Sequence, residues 1–173
     1  MSRYRPPVKK SSPYITPAGY RTLQDELAAI WKRRADVTKA LAAAAAEGDR
    51  SENAEYIYRK KELRGLDRRI RYLQKRLPAL TVVYEIPAEQ HKIFFGAWVT
   101  VEDINGHSAR YQIVGPDEIN PEIGHISMDS PMAKALLKKE RDDEVMVMTP
   151  QGEKWLCVVK IDYPSASELH LSK

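Results

Sequence analysis

Two carboxylates, Asp49 and Glu52, have the residue types and the spacing to bind a divalent cation. Residues three apart at the start of a helix lie on one face, with β-carbons about 5–6 Å apart, so both side chains can approach one ion. Because Mg²⁺ prefers octahedral oxygen coordination and borrows ligands from phosphates or other acids, this pair predicts a site completed by a second molecule. The Asp-x-x-Glu spacing is also typical of a helix capping box, so a structural role stays open.

The two acids lie at the mirror point of a predicted helical hairpin. Steps of three and four between apolar or seam-like positions are typical of antiparallel helices in a coiled coil. A tip about 40 Å from the base of such a hairpin favours delivery of the acids to another molecule over a role in a core. The predicted tip is 47–55, with four acids and one arginine, and the seam positions are 23, 27, 30, 34, 37, 41 and 44, mirrored by 52, 56, 59, 63, 66, 70 and 73.

Capping residues and a proline predict where the two helices begin and end. Thr16 suits the N-cap and Pro17 the first helical position, so the first helix is expected to run to about Ala46. The second helix is expected to begin at Asp49 or Ser51 and to end before Pro78.

The second predicted helix carries a strongly basic band. Residues 59–76 contain nine basic residues against two acidic ones, a net charge of +7. Because a solvated helix face normally alternates charges, the band favours contact with the phosphates of a nucleic acid, with a plain solvent-exposed face as the alternative. Arg64, Arg68, Arg71 and Lys75 step by four, three and four along one face, and Arg69 broadens it.

After Pro78 the hydrophobic pattern changes to the period of two that is typical of β-strands. The Asn105-Gly106 turn predicts a hairpin between strands at 97–102 and 109–114. Ser130 and Pro131 predict the start of a helix over about 131–138. Further strands are predicted at 125–128, 144–148 and 154–161, which gives a separate α+β domain with an antiparallel sheet and one helix.

Composition argues against several protein classes. Cys157 is the single cysteine, which excludes an internal disulfide and a Cys-x-x-Cys zinc site, and the four histidines lack ligand spacing. No run of 18 apolar residues and no apolar leader are present, so a cytoplasmic protein is expected. Residues 1–13 are basic and proline-containing, which predicts a flexible tail, with a nucleic-acid-contacting arm as the alternative.

Several longer segments are similar to the bacterial Gre transcript-cleavage factors, and the arginine-rich second helix resembles the GreB-like branch. The resemblance covers residues 14 to about 163. It implies an N-terminal coiled-coil hairpin at 14–80 that enters the secondary channel of RNA polymerase. It also implies an FKBP-like domain at 84–163 that docks at the channel rim, followed by a tail at 164–173. The segments are GDRSENAEY at 48–56, DRRIRYLQKRL at 67–77, FFGAWVTVE at 94–102, IVGPDEI at 113–119 and ISMDSPMAKALLKKE at 126–140.

The same resemblance implies a role for each candidate residue. The factor would be monomeric when free and would stimulate the polymerase's own cleavage of backtracked RNA at its 3′ end, without being an enzyme itself. Asp49 and Glu52 would assist catalysis by sharing a Mg²⁺ with the polymerase, only in the complex. The RNA-facing residues would be Arg64, Arg68, Arg69, Arg71 and Lys75, and the polymerase-docking residues Asp129, Ser130 and Pro131.

Two alternatives to this function stay open. A Gre-like regulator could occupy the channel without promoting cleavage, although retention of both tip acids argues against it. The FKBP-like domain could be a prolyl isomerase, although a fold alone is weak support for an activity.

Overall fold

The computed structural model describes residues 11–46, 53–149 and 152–164. The chain divides into two compact units. One comprises Tyr20–Leu80, and the other holds the described residues up to Gly19 and from Thr81 onward. Among the residues that the structure describes, no helix is both long and apolar enough to cross a lipid bilayer.

Two long helices dominate the Tyr20–Leu80 unit. Helix α1 spans Pro17–Ala46 and α2 spans Ala54–Arg76, followed by a 3-10 turn at Leu77–Ala79 that contains Pro78. The Gly19 N–H donates to Thr16 Oγ1 at 3.0 Å, which confirms Thr16 as the N-cap of α1.

The predicted start of α2 at Asp49 or Ser51 is wrong. Asn53 is the N-cap: its backbone is extended, and its side-chain oxygen accepts the Tyr56 N–H at 3.0 Å. A side chain that satisfies one of the first free N–H groups fixes the helix start, and asparagine does this well. Asp49, Ser51 and Asn53 are all residue types that favour the N-cap position, so residue type alone could not assign the cap.

Contacts between α1 and α2 show that the helices run antiparallel. As the position on α1 rises, its partner on α2 falls: Glu26 bonds to Arg69, Arg33 to Glu62, and Ala44 to Asn53. Every predicted seam position that the structure describes is at least partly buried. Val37, Ile70 and Leu73 are buried almost completely, which confirms the predicted hairpin.

The other unit contains five longer strands and one helix: β3 (Trp98–Asp103), β4 (Ser108–Val114), β5 (His125–Ser127), α3 (Pro131–Leu136), β6 (Glu144–Thr149) and β7 (Gly152–Asp162). The five strands form one sheet in the order β5-β4-β3-β7-β6. The hydrophobic core lies between this sheet and α3, where Val99, Ile113, Leu136 and Val158 are fully buried. The predicted α+β class is confirmed.

The sheet is mixed, whereas an antiparallel one was predicted. Strands β4 and β5 pair in parallel, with Ile113 opposite Ile126. The connection between them contains a 3-10 turn at Pro121–Ile123 and ends at Gly124, whose φ of 75° suits glycine. This connection returns the chain to the end of the sheet where β4 begins, so β5 runs parallel to β4. The hydrophobic pattern of a three-residue strand does not indicate its direction, so the sequence could not predict the parallel pairing.

A parallel pair of two-residue strands lies where the chain enters and leaves the hairpin. Strand β1 (Tyr14–Ile15) pairs with β2 (Thr81–Val82), and the Thr81 N–H donates to the Pro13 carbonyl at 2.8 Å. Ile15 is completely buried. Residues 11–13, the described end of the predicted flexible tail, therefore lead directly into ordered structure.

Candidate functional site

The described part of the hairpin ends just short of the acidic tip. Helix α1 ends at Ala46 and the structure resumes at Asn53, so Asp49 and Glu52 lie outside the described residues. The Asn53 side chain donates to the Ala44 carbonyl at 2.9 Å while it caps α2. This side chain therefore joins the two helices at the residues that flank the acidic segment in the sequence.

Replacing Asn53 by alanine is expected to lower the free energy of unfolding by about 1 kcal/mol or more, because a cap and a bond between the helices are lost. Asn53→Asp is the matched variant: it keeps an acceptor for the Tyr56 N–H but cannot donate to the Ala44 carbonyl. Denaturant unfolding followed by circular dichroism should rank wild type above Asn53→Asp, and Asn53→Ala last. Equal stabilities of wild type and Asn53→Ala would contradict this role.

Four of the five predicted RNA-facing side chains form an exposed basic face. Arg64, Arg68, Arg71 and Lys75 are all exposed, on the side of α2 opposite the seam residues Ile70 and Leu73. The Arg71 Nε donates to the Asp67 carbonyl at 3.2 Å, and this bond uses one nitrogen of an exposed side chain. We call these four residues the basic face.

Arg69, which the sequence grouped with these residues, has a different environment. Its Nε and one terminal nitrogen donate to the two carboxylate oxygens of Glu26, each at 2.7 Å, in a bidentate pair. Its guanidinium also lies 5.2 Å from the centre of the Tyr72 ring. Arg69 therefore joins the two helices, and the structure separates it from the basic face.

A second ion-pair cluster lies closer to the tip. Glu62 accepts from Arg33 at 2.6 Å and from Arg59 at 3.2 Å, and Arg59 also bonds to Glu55 at 2.7 Å. These hydrogen bonds, that of Arg33 foremost, hold the pKa of Glu62 below its usual value. The acids of this region thus pair with Arg33 and Arg59, and none of these ion pairs involves a residue of the basic face.

The predicted docking motif lies at the start of α3. The Ser130 side chain accepts the Ala133 N–H at 3.1 Å as N-cap, and Pro131 occupies the first turn with its ring exposed. Asp129 is half-buried, and its two carboxylate oxygens accept from the N–H and the hydroxyl of Ser12 at 2.8 and 3.0 Å. A carboxylate has about four acceptor positions, so both oxygens retain capacity for a further donor.

The sequence analysis did not predict the roles of two residues, Ser12 and Glu118. Ser12 fell in the predicted tail, and no local signal relates it to Asp129, which lies 117 residues away. Glu118 accepts from the backbone N–H groups of Thr16 at 2.9 Å and Gly115 at 2.7 Å, and thereby fixes the start of α1. Glu118 did lie within the IVGPDEI segment, but its type alone did not reveal its partners.

The remaining polar side chains that the structure describes form no second candidate centre. Among the described residues, no group of three or more histidine, cysteine, aspartate or glutamate side chains could hold a metal ion. Cys157 is half-buried on β7. The aromatic residues Phe94, Phe95 and Trp98 are half-buried, and Trp98 contacts the Arg110 guanidinium at 4.7 Å. These observations favour structural roles for them.

The described structure thus combines an antiparallel helical hairpin that has a basic face with an α+β unit whose helix α3 is capped by Ser130. Residues 13–82 match the family described as "Transcription elongation factor, N-terminal", and residues 88–163 match "Transcription elongation factor, GreA/GreB, C-term". The chain belongs to the GreA/GreB family of transcription elongation factors and is GreB-like.

Two GreB proteins agree with this assignment. Transcription elongation factor GreB of Pseudomonas aeruginosa is 57% identical over 96% of this chain and 99% of its own length. The GreB of Xanthomonas axonopodis pv. citri is 56% identical over 95% of this chain and 99% of its own. Among solved structures, the GreA factor homolog 1 (Gfh1) protein of Thermus thermophilus is 29% identical and covers 86% of this chain and 97% of that one, with a TM-score of 0.40.

Proposed function

We propose that this elongation factor inserts the tip of its hairpin into the secondary channel of RNA polymerase and stimulates the polymerase's own cleavage of backtracked RNA. The observation that supports the proposal best is the basic face. Arg64, Arg68, Arg71 and Lys75 are exposed on the helix that leads to the segment with Asp49 and Glu52. The basic residues would contact the phosphates of an extruded RNA, and the acids that precede the same helix in the sequence would be delivered to the RNA along with it.

Asp49 and Glu52 supply the oxygen donors that Mg²⁺ prefers, but two carboxylates are too few for its octahedral shell. Further ligands would come from the polymerase and from the RNA phosphate, since Mg²⁺ commonly completes its shell with phosphates and with acids of a partner. In a two-metal site, a Mg²⁺ held there in addition to one held by the polymerase would stabilise the attacking and leaving oxygens of phosphodiester hydrolysis. The chain's own contribution is to carry the two carboxylates to the reacting phosphate and to hold them there, with Asn53 joining the two helices that flank them in the sequence.

The basic face attracts the displaced RNA through its phosphates. Each arginine or lysine that neutralises a phosphate releases a counterion, so the contribution of the face falls as salt rises. The face has no built-in preference for particular bases, because contacts to phosphates carry no sequence information. A factor that must act wherever the polymerase backtracks needs this indifference to sequence.

The proposal is tested with a stalled, backtracked elongation complex, with and without this protein. Release of short 3′ fragments should accelerate on addition of the factor and should require Mg²⁺. Naked RNA without polymerase should stay intact, because the acids alone do not complete a metal site. A factor that binds the complex but slows or leaves unchanged the release of fragments would indicate a channel-binding regulator without cleavage activity.

Asp129→Asn is expected to weaken docking about tenfold or more, because the half-buried carboxylate loses the charge that a cationic partner would pair with. The half-saturating factor concentration in the cleavage assay should rise, while the rate at saturation stays at the wild-type value. Pro131→Ala should act in the same direction. Since Pro131 also favours the start of α3, circular dichroism must show that each variant is folded.

The matched control for these docking variants is Asp142→Asn, an exposed aspartate of the same unit whose side chain lies 3.7 Å from Arg141. It removes the same charge away from the motif and should leave half-saturation unchanged. Wild-type affinity of folded Asp129→Asn and Pro131→Ala in a competition assay would remove the motif from the interface.

A further inference from the structure

Two exposed tyrosines form a line beside the basic face of α2. Tyr58 and Tyr72 are 58% and 45% exposed, and Gly65 lies midway between them. Positions seven apart fall on nearly the same side of a helix, so all three share one line. At 1.5 Å per residue, the two rings are about 21 Å apart along the helix, with the glycine in the middle.

Each of the two tyrosines is accompanied by an arginine that is itself held in place. The Arg59 guanidinium lies 5.5 Å from the centre of the Tyr58 ring and is bonded to Glu55. The Arg69 guanidinium lies 5.2 Å from the Tyr72 ring and is bonded to Glu26. Anchored cations of this kind restrict the rings, and a restricted ring loses less freedom when a flat ligand stacks on it.

Gly65 is unfavourable where it lies. Glycine in the interior of a helix costs roughly 0.5–1 kcal/mol relative to alanine, and α2 continues for about ten residues on either side. Packing within the hairpin does not require it, because a β-carbon at this position would meet no atom within 4 Å apart from its chain neighbours and the adjacent backbone of α2. Because glycine has no side chain, another molecule can approach the helix backbone closely at Gly65. No other part of the described hairpin makes such an approach.

We infer that Tyr58, Gly65 and Tyr72 form a stacking surface for single-stranded RNA alongside the basic face. The phosphates would contact arginines such as Arg64 and Arg68, bases would stack on the two rings, and the strand would pass closest to the helix at Gly65. Proteins that bind single strands without sequence preference combine these two elements, a basic track and aromatic rings. The inference rests on the proposed function for the identity of its ligand as RNA.

The test measures binding of a fluorescently labelled single-stranded oligouridylate to the full chain by anisotropy. Tyr58→Ala and Tyr72→Ala should each weaken binding roughly fivefold or more, since stacking on an aromatic ring contributes about 1 kcal/mol or more per base. Tyr58→Phe and Tyr72→Phe keep the ring and should bind like wild type. Tyr84→Ala is the matched control, because Tyr84 is 50% exposed in the other unit.

Salt separates stacking from attraction of phosphates. The tyrosine variants should keep the wild-type slope of affinity against salt concentration, because they remove no charge. Arg64→Gln and Arg68→Gln should reduce that slope by roughly one unit each. A merely structural role of the tyrosines predicts loss of thermal stability in place of this pattern.

Gly65→Gln provides the sharpest discrimination. Glutamine is a better helix former than glycine, so this variant should have a higher melting temperature than wild type. It should nevertheless bind the oligouridylate more weakly, because its side chain occupies the closest approach to the helix. A more stable protein with weaker binding has no explanation in the fold alone.

The inference is overturned if wild type does not bind the oligouridylate, or if the alanine variants and Gly65→Gln bind it as tightly as wild type. The proposed function fails by a different result, namely no stimulation of cleavage by wild type in the backtracked polymerase complex. The two outcomes are distinguishable because the binding assay contains no polymerase.

Discussion

Asp49→Asn and Glu52→Gln are each expected to abolish stimulated cleavage while leaving polymerase binding nearly unchanged. Each substitution keeps the size of the side chain and removes the charge that recruits the ion, so no equivalent oxygen donor replaces the lost one. The described residues contain no other acidic cluster that could substitute. The measurement is the rate of fragment release from a backtracked complex, together with a competition assay for polymerase binding.

Glu55→Gln is the matched control for the tip acids. Glu55 belongs to the same acidic segment, but it lies in the first turn of α2, half-exposed, with its carboxylate bonded to Arg59 at 2.7 Å. Its neutralisation changes the charge of the tip by the same amount and should leave most of the cleavage intact. If the purified Asp49→Asn/Glu52→Gln double variant releases RNA at the wild-type rate, the metal role is wrong.

Much of the hairpin could be predicted because its signals are local and repeated. Steps of three and four locate the seam over both helices, and Thr16 and Pro17 mark the start of α1 through chemistry that acts within one turn. The same local reasoning failed at the start of α2. Asp49, Ser51 and Asn53 are all competent caps, and what selects Asn53 is its second bond, to Ala44 on the other helix.

Pairwise contacts between distant segments account for the rest. The sequence shows which residues of the basic band are charged, but it could not show that Arg69 forms a bidentate pair with Glu26. Ion pairs between helices leave no periodic signal in the sequence. The contact of Ser12 with Asp129 and the parallel direction of β5 are likewise set by long-range packing. A candidate site is therefore predictable by residue type, while the division between binding and structural members requires the fold.

Reversal of Arg64, Arg68 and Arg71 to glutamate is expected to impair cleavage of deeply backtracked RNA far more than cleavage of RNA displaced by a few nucleotides. A longer extruded strand offers more phosphates to the basic face, and each contact adds affinity that salt weakens. The tip acids are unchanged, so short fragments should still form. The measurement compares the two substrates at low and high salt.

Two variants control for net charge and for stability. Lys32→Glu/Lys39→Glu reverses two exposed charges on α1, on the side of that helix away from the seam residue Val37. Compared with Arg64→Glu/Arg68→Glu, which changes net charge equally, it should have little effect on either substrate. Since Arg71 bonds to the Asp67 carbonyl, denaturant unfolding must show that the triple variant keeps a stable hairpin.

Salt dependence decides between the two interpretations of the basic face. If the face tracks RNA, wild type should lose its advantage on long RNA as salt rises. The triple variant should not show this decline, because its glutamates repel the phosphates and salt weakens that repulsion. Equal defects on short and long RNA, independent of salt, would mean that Arg64, Arg68 and Arg71 are a solvated helix face. Cleavage would then depend on the tip and the docking motif alone.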